Sequence, residues 1–277
     1  MVQPVSKRSL AIMETIASLY RFITGPMWEK VAGSDAERCD FVFGNPHEMP
    51  LPGFTVALQR WIVPQNEEWH AYKNNERAAQ QVVANTLRAE RGLPYEEDDI
   101  FLTNGAFAAI AVALSAIVDP DDEVIFILPP WFFYESLIVS AGGKGVRVKV
   151  DPVTFDLDLA AIQSAITPRT RAIIINSPHN PTGKIYSPET LTALARILSE
   201  ASQANGRTIY LLSDEAYSRI VFDGAAYPSP ASFYPNSFLL YTYGKTLLTP
   251  GERLGYIALS PHMAERAAMR AAIFTTQ

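Results

Sequence analysis

From residue 100 onward, short uninterrupted apolar runs alternate with longer stretches in which apolar positions recur every three or four residues. The runs Ile100–Leu102, Glu123–Leu128, Val146–Val150, Ala172–Asn176, Thr208–Ser213, Phe238–Tyr241 and Gly255–Leu259 predict strands. Helical spacing predicts helices over 105–118, 132–141, 157–166 and 188–204, with a last one from Pro261. Strands that are apolar throughout must be covered on both faces, so the pattern predicts an α/β fold with a mostly parallel sheet sandwiched by helices. Upstream, the spacing of Val82, Val83 and Leu87 predicts a helix over 78–91, closed by Gly92 and Pro94. An amphipathic helix is expected over Ser9–Ile23, then a short extended run, Phe41-Val42-Phe43, broken by the turn Gly44-Asn45-Pro46. Residues 1–48 thus look like an arm or part of a smaller domain, and residues 49–277 like one large domain.

With 277 residues, 48% of them hydrophobic and 19% charged, the chain can bury a core without a disulfide or a metal. Cys39 is the only cysteine, which excludes an intrachain disulfide and points to a reducing, cytoplasmic setting; a small buried side chain is expected there. The net charge of −6, with no basic run longer than Lys7-Arg8, argues against a nucleic-acid surface. Glu14 and Arg21 interrupt the only apolar run near the start, and no stretch is long enough to span a membrane. The chain therefore reads as a soluble globular protein with no membrane partner.

In open α/β sheets ligands bind outside the carboxyl ends of the strands. Thr103-Asn104-Gly105, Asn176 through Gly183, Asp214 and Lys245 all fall at such ends, so one cleft can collect them. Asn180-Pro181-Thr182-Gly183 is a rigid turn that can present the Asn180 amide at a fixed orientation. Asp214 ends an apolar run, where a carboxylate needs a positive partner, and Tyr217 three residues later can reach the same ligand. Lys245 follows another buried run; a desolvated amine near a second cation has a lowered pKa and becomes nucleophilic. Arg253 is suited to pairing with a phosphate. Gly244-Lys245-Thr246 is not a nucleotide-binding P-loop, because Leu239 stands where that loop needs glycine. Gly142-Gly143-Lys144-Gly145 lies between a helix and a strand and is read as a simple turn.

In order and context these residues resemble the class I/II aminotransferases of the fold-type I pyridoxal phosphate enzymes, over nearly the whole chain from Gly44. The resemblance implies that Lys245 binds pyridoxal 5′-phosphate through a Schiff base, that Asp214 pairs with the pyridine nitrogen, and that Asn180 and Tyr217 bond the phenolic oxygen. It assigns the phosphate to Thr242, Arg253 and the backbone N–H groups of Gly105 and Ala106, and ring stacking to Trp131. Tyr72 would serve the phosphate of a neighbouring subunit, implying a homodimer with a shared site, and Gly44 with Asn180 would face the substrate. The implied reaction moves an amino group from an amino acid to a 2-oxo acid, with Lys245, Asp214 and Tyr217 as the catalytic set. The same cofactor residues would serve a lyase or synthase of this fold, or a catalytically incomplete cofactor-binding chain. The family pattern continues beyond Gln277 into a segment that supplies an arginine for the substrate carboxylate, so the resemblance implies a large domain with an incomplete small domain.

Overall fold

A computed structural model describes residues 4–32, 44–46 and 48–277. Cys39 and the expected extended run Phe41–Phe43 lie outside the described residues. The chain forms α1 (Lys7–Ile23), α2 (Pro26–Ala32), α3 (Pro52–Trp61), α4 (Arg77–Arg91), β1 (Ile100–Thr103), α5 (Gly105–Ile117), β2 (Glu123–Leu128) and α6 (Tyr134–Ser140). It continues with β3 (Lys144–Lys149), α7 (Leu159–Ala165), β4 (Thr170–Asn176), α8 (Pro188–Asn205), β5 (Tyr210–Asp214), β6 (Ser237–Thr242), β7 (Gly255–Leu259) and α9 (Arg266–Thr276).

The seven strands form one sheet in the order β1-β7-β6-β5-β4-β2-β3. The run β3-β2-β4-β5-β6 is parallel, and β7 is antiparallel to both β6 and β1. Strand alternation divides the core between the faces. Val124, Phe126, Ile174, Leu212 and Phe238 face α5, α6 and α9, whereas Ile125, Ile127, Ile173, Ile175 and Leu211 face α7 and α8. On β6 and β7, Leu239, Tyr241, Tyr256 and Ala258 instead pack against α4 through Val83, Ala84 and Leu87. Each fully buried Ile, Leu or Phe in these layers contributes roughly 1.5–3 kcal/mol relative to exposure. The central apolar runs of the sequence are thus strands covered on both sides, whereas the run at Val146–Val150 falls in the edge strand β3, where Lys144, Arg147 and Lys149 are exposed.

Element ends follow local chemistry. Ser187 caps α8 by accepting from Thr190 N–H, Pro188 opens it, and Gly206 closes it at φ 61°. Gly92 closes α4 at φ 66°. Some boundaries differ from the predicted ones. β3 begins at Lys144, which puts Gly145 inside the strand: a Cβ there would lie 2.9 Å from the Phe126 ring and 3.3 Å from Glu135, so close packing rather than turn geometry selects that glycine. α6 begins at Tyr134 because Trp131 to Phe133 form a turn whose rings pack on one another. The last helix begins at Arg266, after a turn closed by Met263 N–H on Ser260 O. Neither α2 nor α3 was expected from spacing; both begin at a proline, a residue pre-set for a first helical turn.

α1 runs alongside α6, but neither α1 nor α3 contains a fully buried residue. No described helix is long and apolar enough to cross a membrane.

Candidate active site

The parallel register brings β4, β5 and β6 to a common edge: Asn176 pairs with Asp214, and Asp214 with Leu240, two residues before Thr242. Asp214 is buried. The Tyr134 hydroxyl donates to its Oδ2 at 2.5 Å and the Ala216 N–H to its Oδ1 at 3.2 Å. Its backbone carbonyl accepts from Asn176 Nδ2 at 2.8 Å and from Ser177 N–H at 3.1 Å. Burial pushes its carboxyl up to about 6, against the opposing pull of the Tyr134 hydrogen bond. The carboxylate is held on both oxygens yet destabilised in its charged form, a condition that a cationic ligand relieves.

Asn176 Oδ1 accepts from the Asn180 N–H at 2.6 Å, which anchors the proline-flanked turn to the end of β4. Asn180 Nδ2 then reaches the Tyr217 hydroxyl at 3.4 Å, and burial raises the Tyr217 pKa. His179 is a packing neighbour: Nδ1 lies 2.7 Å from Thr182 Oγ1, and burial lowers its pKa to about 4, so the ring is neutral.

Lys245 lies three residues past the end of β6. Its Nζ donates to Gly44 O at 3.2 Å and stands 5.8 Å from the Tyr217 ring centre. Burial, reinforced by the charge of Arg253, lowers its pKa. A Cβ on Gly44 would come within 2.7 Å of that Nζ, so a side chain there would shift the amine. Arg253 adopts the left-handed conformation at φ 52°, ψ 51°, a strained choice for a long side chain of about 1 kcal/mol or more. That backbone turns its guanidinium toward the start of α5, where Nη2 donates to Asn104 O at 3.3 Å and Nη1 to Pro250 O at 2.8 Å. Gly105, at φ 79°, opens α5; a Cβ there would lie 3.0 Å from Arg253 Nη2 and 3.5 Å from Thr242 Oγ1.

These groups enclose a cavity of about 280 Å³. Of the residues singled out in the sequence, Ala106, Trp131, Asn180, Asp214, Tyr217, Thr242, Lys245 and Arg253 line it. Gly105 and Gly44 shape it through the approaches just described. Tyr72 does not line it: the side chain is fully exposed on the segment before α4. Trp131 forms one wall and meets Phe107, Phe133 and Tyr134 edge-on at 5.9, 5.3 and 5.4 Å. Asn176, expected at the cleft from its strand end, also lines it, whereas Tyr134 and Phe107 are residues of the candidate site that spacing did not reveal. Tyr134 stands in a run of aromatic residues, 131–134, and only the packing of α6 against α5 and β2 turns its hydroxyl onto Asp214.

The donor set fits a phosphorylated pyridine aldehyde. Lys245 supplies an amine of lowered pKa and Asp214 a buried anion for a ring nitrogen, while Asn180 and Tyr217 supply donors for a ring oxygen. Arg253, Thr242 and the open N-terminus of α5 surround a cradle that a Cβ on Gly105 would fill, which suits a phosphate.

Comparison with known proteins agrees with this geometry. Residues 40–277 match the family model described as "Aminotransferase class I and II". The chain is similar to a probable aspartate aminotransferase of Methanocaldococcus jannaschii, 30% identical over 220 residues, covering 79% of this chain and 56% of that protein. It is also similar to the aspartate/prephenate aminotransferase of Thermus thermophilus, 36% identical over 178 residues, covering 64% and 44% respectively. Among solved structures, an amino transferase from Eubacterium rectale superposes with a TM-score of 0.86 at 28% identity, over 99% of this chain and 70% of that one. The chain thus spans about half the length of the curated relatives it matches. Members of this family use pyridoxal 5′-phosphate. With a family match across residues 40–277 and the fold of a solved amino transferase over 99% of its length, the chain belongs to the class I and II aminotransferases.

Proposed function

We propose that the protein binds pyridoxal 5′-phosphate in this cleft and moves an amino group from an amino acid to a 2-oxo acid. The observation that carries the reading is the meeting of Lys245, Asp214 and Tyr217 in one cavity whose far side is closed by Arg253 and Gly105. When bound, the cofactor supplies an electron-withdrawing ring that stabilises negative charge at the substrate Cα and carries the amino group between the two substrates.

The chain's own residues do the rest. Lys245, with its pKa lowered by burial and by Arg253, holds and returns the proton taken from the substrate Cα. Asp214 keeps a proton on the ring nitrogen, and the Tyr134 hydroxyl and Ala216 N–H keep its carboxylate aimed. Asn180 and Tyr217 donate to the ring oxygen, and Thr242, Arg253 and the first N–H groups of α5, including those of Gly105 and Ala106, hold the phosphate. Trp131 walls off one side of the cavity, and Gly44 with Asn180 faces the substrate. Residues 1–48 act in this reading as an arm and part of the small domain, and 49–277 as the cofactor-binding large domain. A homodimer, in which Tyr72 serves the neighbouring site, and a cytoplasmic setting complete the proposal. They are supported by the exposure of Tyr72 and by the single cysteine of the chain.

The test is a cofactor titration followed by a donor screen that begins with aspartate, because the relatives named above are aspartate aminotransferases. Lys245→Ala is expected to abolish the visible absorbance of the bound cofactor, and an unchanged spectrum overturns the assignment. Keto acid formation that requires an added 2-oxo acid acceptor supports amino transfer; formation without one indicates elimination.

A further inference from the structure

The last turn of α4 reaches the turn that carries Tyr217, and its final two residues, Glu90 and Arg91, grip that turn on either side. Arg91 Nη2 lies 3.2 Å from Glu215 Oε2, and Arg219 Nη2 lies 3.2 Å from Glu90 Oε1. Tyr217 stands midway in sequence between Glu215 and Arg219. Two ion pairs of opposite polarity therefore bracket it. An exchange of partners would set Glu215 against Glu90 and Arg219 against Arg91, like charge against like, so the crossed pairs admit one register only.

The grip is anchored firmly. Glu215 is fully buried; its Oε1 accepts from Ser213 Oγ at 2.9 Å and also from Ser229 Oγ, and its N–H donates to Leu240 O at 2.9 Å. Arg91 lies 5.3 Å over the Tyr227 ring, whose hydroxyl donates to Ser177 O at 2.9 Å, next to Asn176. Arg219 lies 4.9 Å over the Tyr241 ring. None of the four charged residues lines the cavity, so they act on it through the residues they hold, Tyr217 and Asp214 among them. A buried pair such as Arg91 with Glu215 is a weak source of net stability compared with an apolar pair of the same volume. Its use at this point favours a role in conformational specificity.

We propose that Arg91, Glu215, Glu90 and Arg219 are positioning residues that fix how far the Tyr217 hydroxyl reaches into the cleft, an inference that rests on the cofactor reading of that cleft. The Glu215 and Ala216 N–H groups tie the start of this turn to Leu240 O and Asp214 Oδ1, but its internal hydrogen bonds are few, Ser218 N–H to Glu215 O at 3.0 Å and Ile220 N–H to Tyr217 O at 2.8 Å, and the pairs immobilise the rest.

Two measurements test this. In the cofactor-free 277-residue chain, Arg91→Gln should speed amide hydrogen exchange at Ser218 and Ile220 by about tenfold or more while β4 and β5 amides are unchanged, and Arg91→Lys should restore protection. In cofactor titrations followed by visible absorbance, Arg91→Gln should raise the Kd about tenfold in the wild-type background and less than about twofold in Tyr217→Phe, because the two changes act on one interaction. Arg219→Gln, at the half-exposed pair, provides the same readings if Arg91→Gln does not fold. Unchanged exchange, or an equal loss of affinity in both backgrounds, overturns the proposal. If the wild-type chain binds no cofactor, the reading of the cleft fails, while the exchange measurement still decides whether the pairs hold the turn.

Discussion

The sheet region from α4 onward and the described residues before it place their chemistry in different ways. Asp214 is held by Tyr134, Ala216, Asn176 and Ser177, all from the same body of structure and all within hydrogen-bond distance. In the earlier region, Gly44 touches the site through one carbonyl on Lys245, Tyr72 is fully exposed, and α1 and α3 bury nothing completely. The apolar side chains Met49, Leu51, Val56, Trp61 and Ile62 are exposed there. A residue at the end of a buried strand is over-determined by neighbouring strands, whereas one on a lightly packed segment takes its position from whatever that segment meets. The difference teaches that the candidate cofactor-binding residues of this chain are held by the sheet, and that contributions from the first 76 residues depend on further contacts.

The sharpest way to break this comparison is to remove the buried anion. Asp214→Asn should leave the fold intact but weaken cofactor affinity by roughly two orders of magnitude or more, since a buried ion pair that loses one partner costs about 3–5 kcal/mol. Equilibrium titration measures it, and a loss below about threefold would place the ring nitrogen elsewhere.

Gly105→Ala comes next. At φ 79° and 3.0 Å from the Arg253 guanidinium, a methyl group is strained and also displaces the arginine from the cradle. The left-handed conformation alone costs about 1–2 kcal/mol of folding stability, and the displaced arginine should raise Kd at least about tenfold, with inorganic phosphate protecting the variant less than the wild type in a thermal melt.

The pH dependence of stability gives a smaller, signed effect. Burial raises the Asp214 carboxyl to about 6, so between its ordinary value and about 6 the folded cofactor-free chain binds a proton that the unfolded chain does not. Its contribution to stability is therefore present at acid pH and lost as pH rises through about 6. A cation beside it reverses the trend. The Tm gained on adding cofactor should accordingly grow as pH climbs through about 6, and a gain independent of pH would show that Asp214 does not face the bound group.

The smallest effect is expected at Tyr72→Phe. Removing an exposed hydroxyl should leave the Tm of the isolated chain within about half a kcal/mol of its starting stability. If the neighbouring subunit uses Tyr72, cofactor affinity should fall only at protein concentrations that support association, which a dilution series with sedimentation checks.

Much of this site was legible because its residues sit where apolar runs stop. β5 ends at Asp214 and β6 at Thr242, shortly before Lys245, and both runs are continuous enough to mark as strands without structure. Arg253 was legible as chemistry but not as geometry, since nothing local announces that its backbone turns left-handed. The proline-initiated helix α3 escaped for a related reason: it has no buried residue, so hydrophobic spacing has little to register, and α2, at seven residues, is too short to show a period. Gly145 was read as part of a turn because glycine signals turns more often than close packing within a strand.

The sequence by itself determined the class of fold and the list of groups at the strand ends, because periodicity and burial are local properties of consecutive residues. Tertiary structure alone decided that β7 runs antiparallel between β6 and β1, that the Tyr134 hydroxyl meets Asp214, and that Glu90 and Arg91 close on the turn around Tyr217. The side-chain contacts among these join residues separated by 80 to more than 120 positions, at distances set by the packing of helices on the sheet. No window of sequence contains both partners, and the choice among possible partners is made only when the core closes.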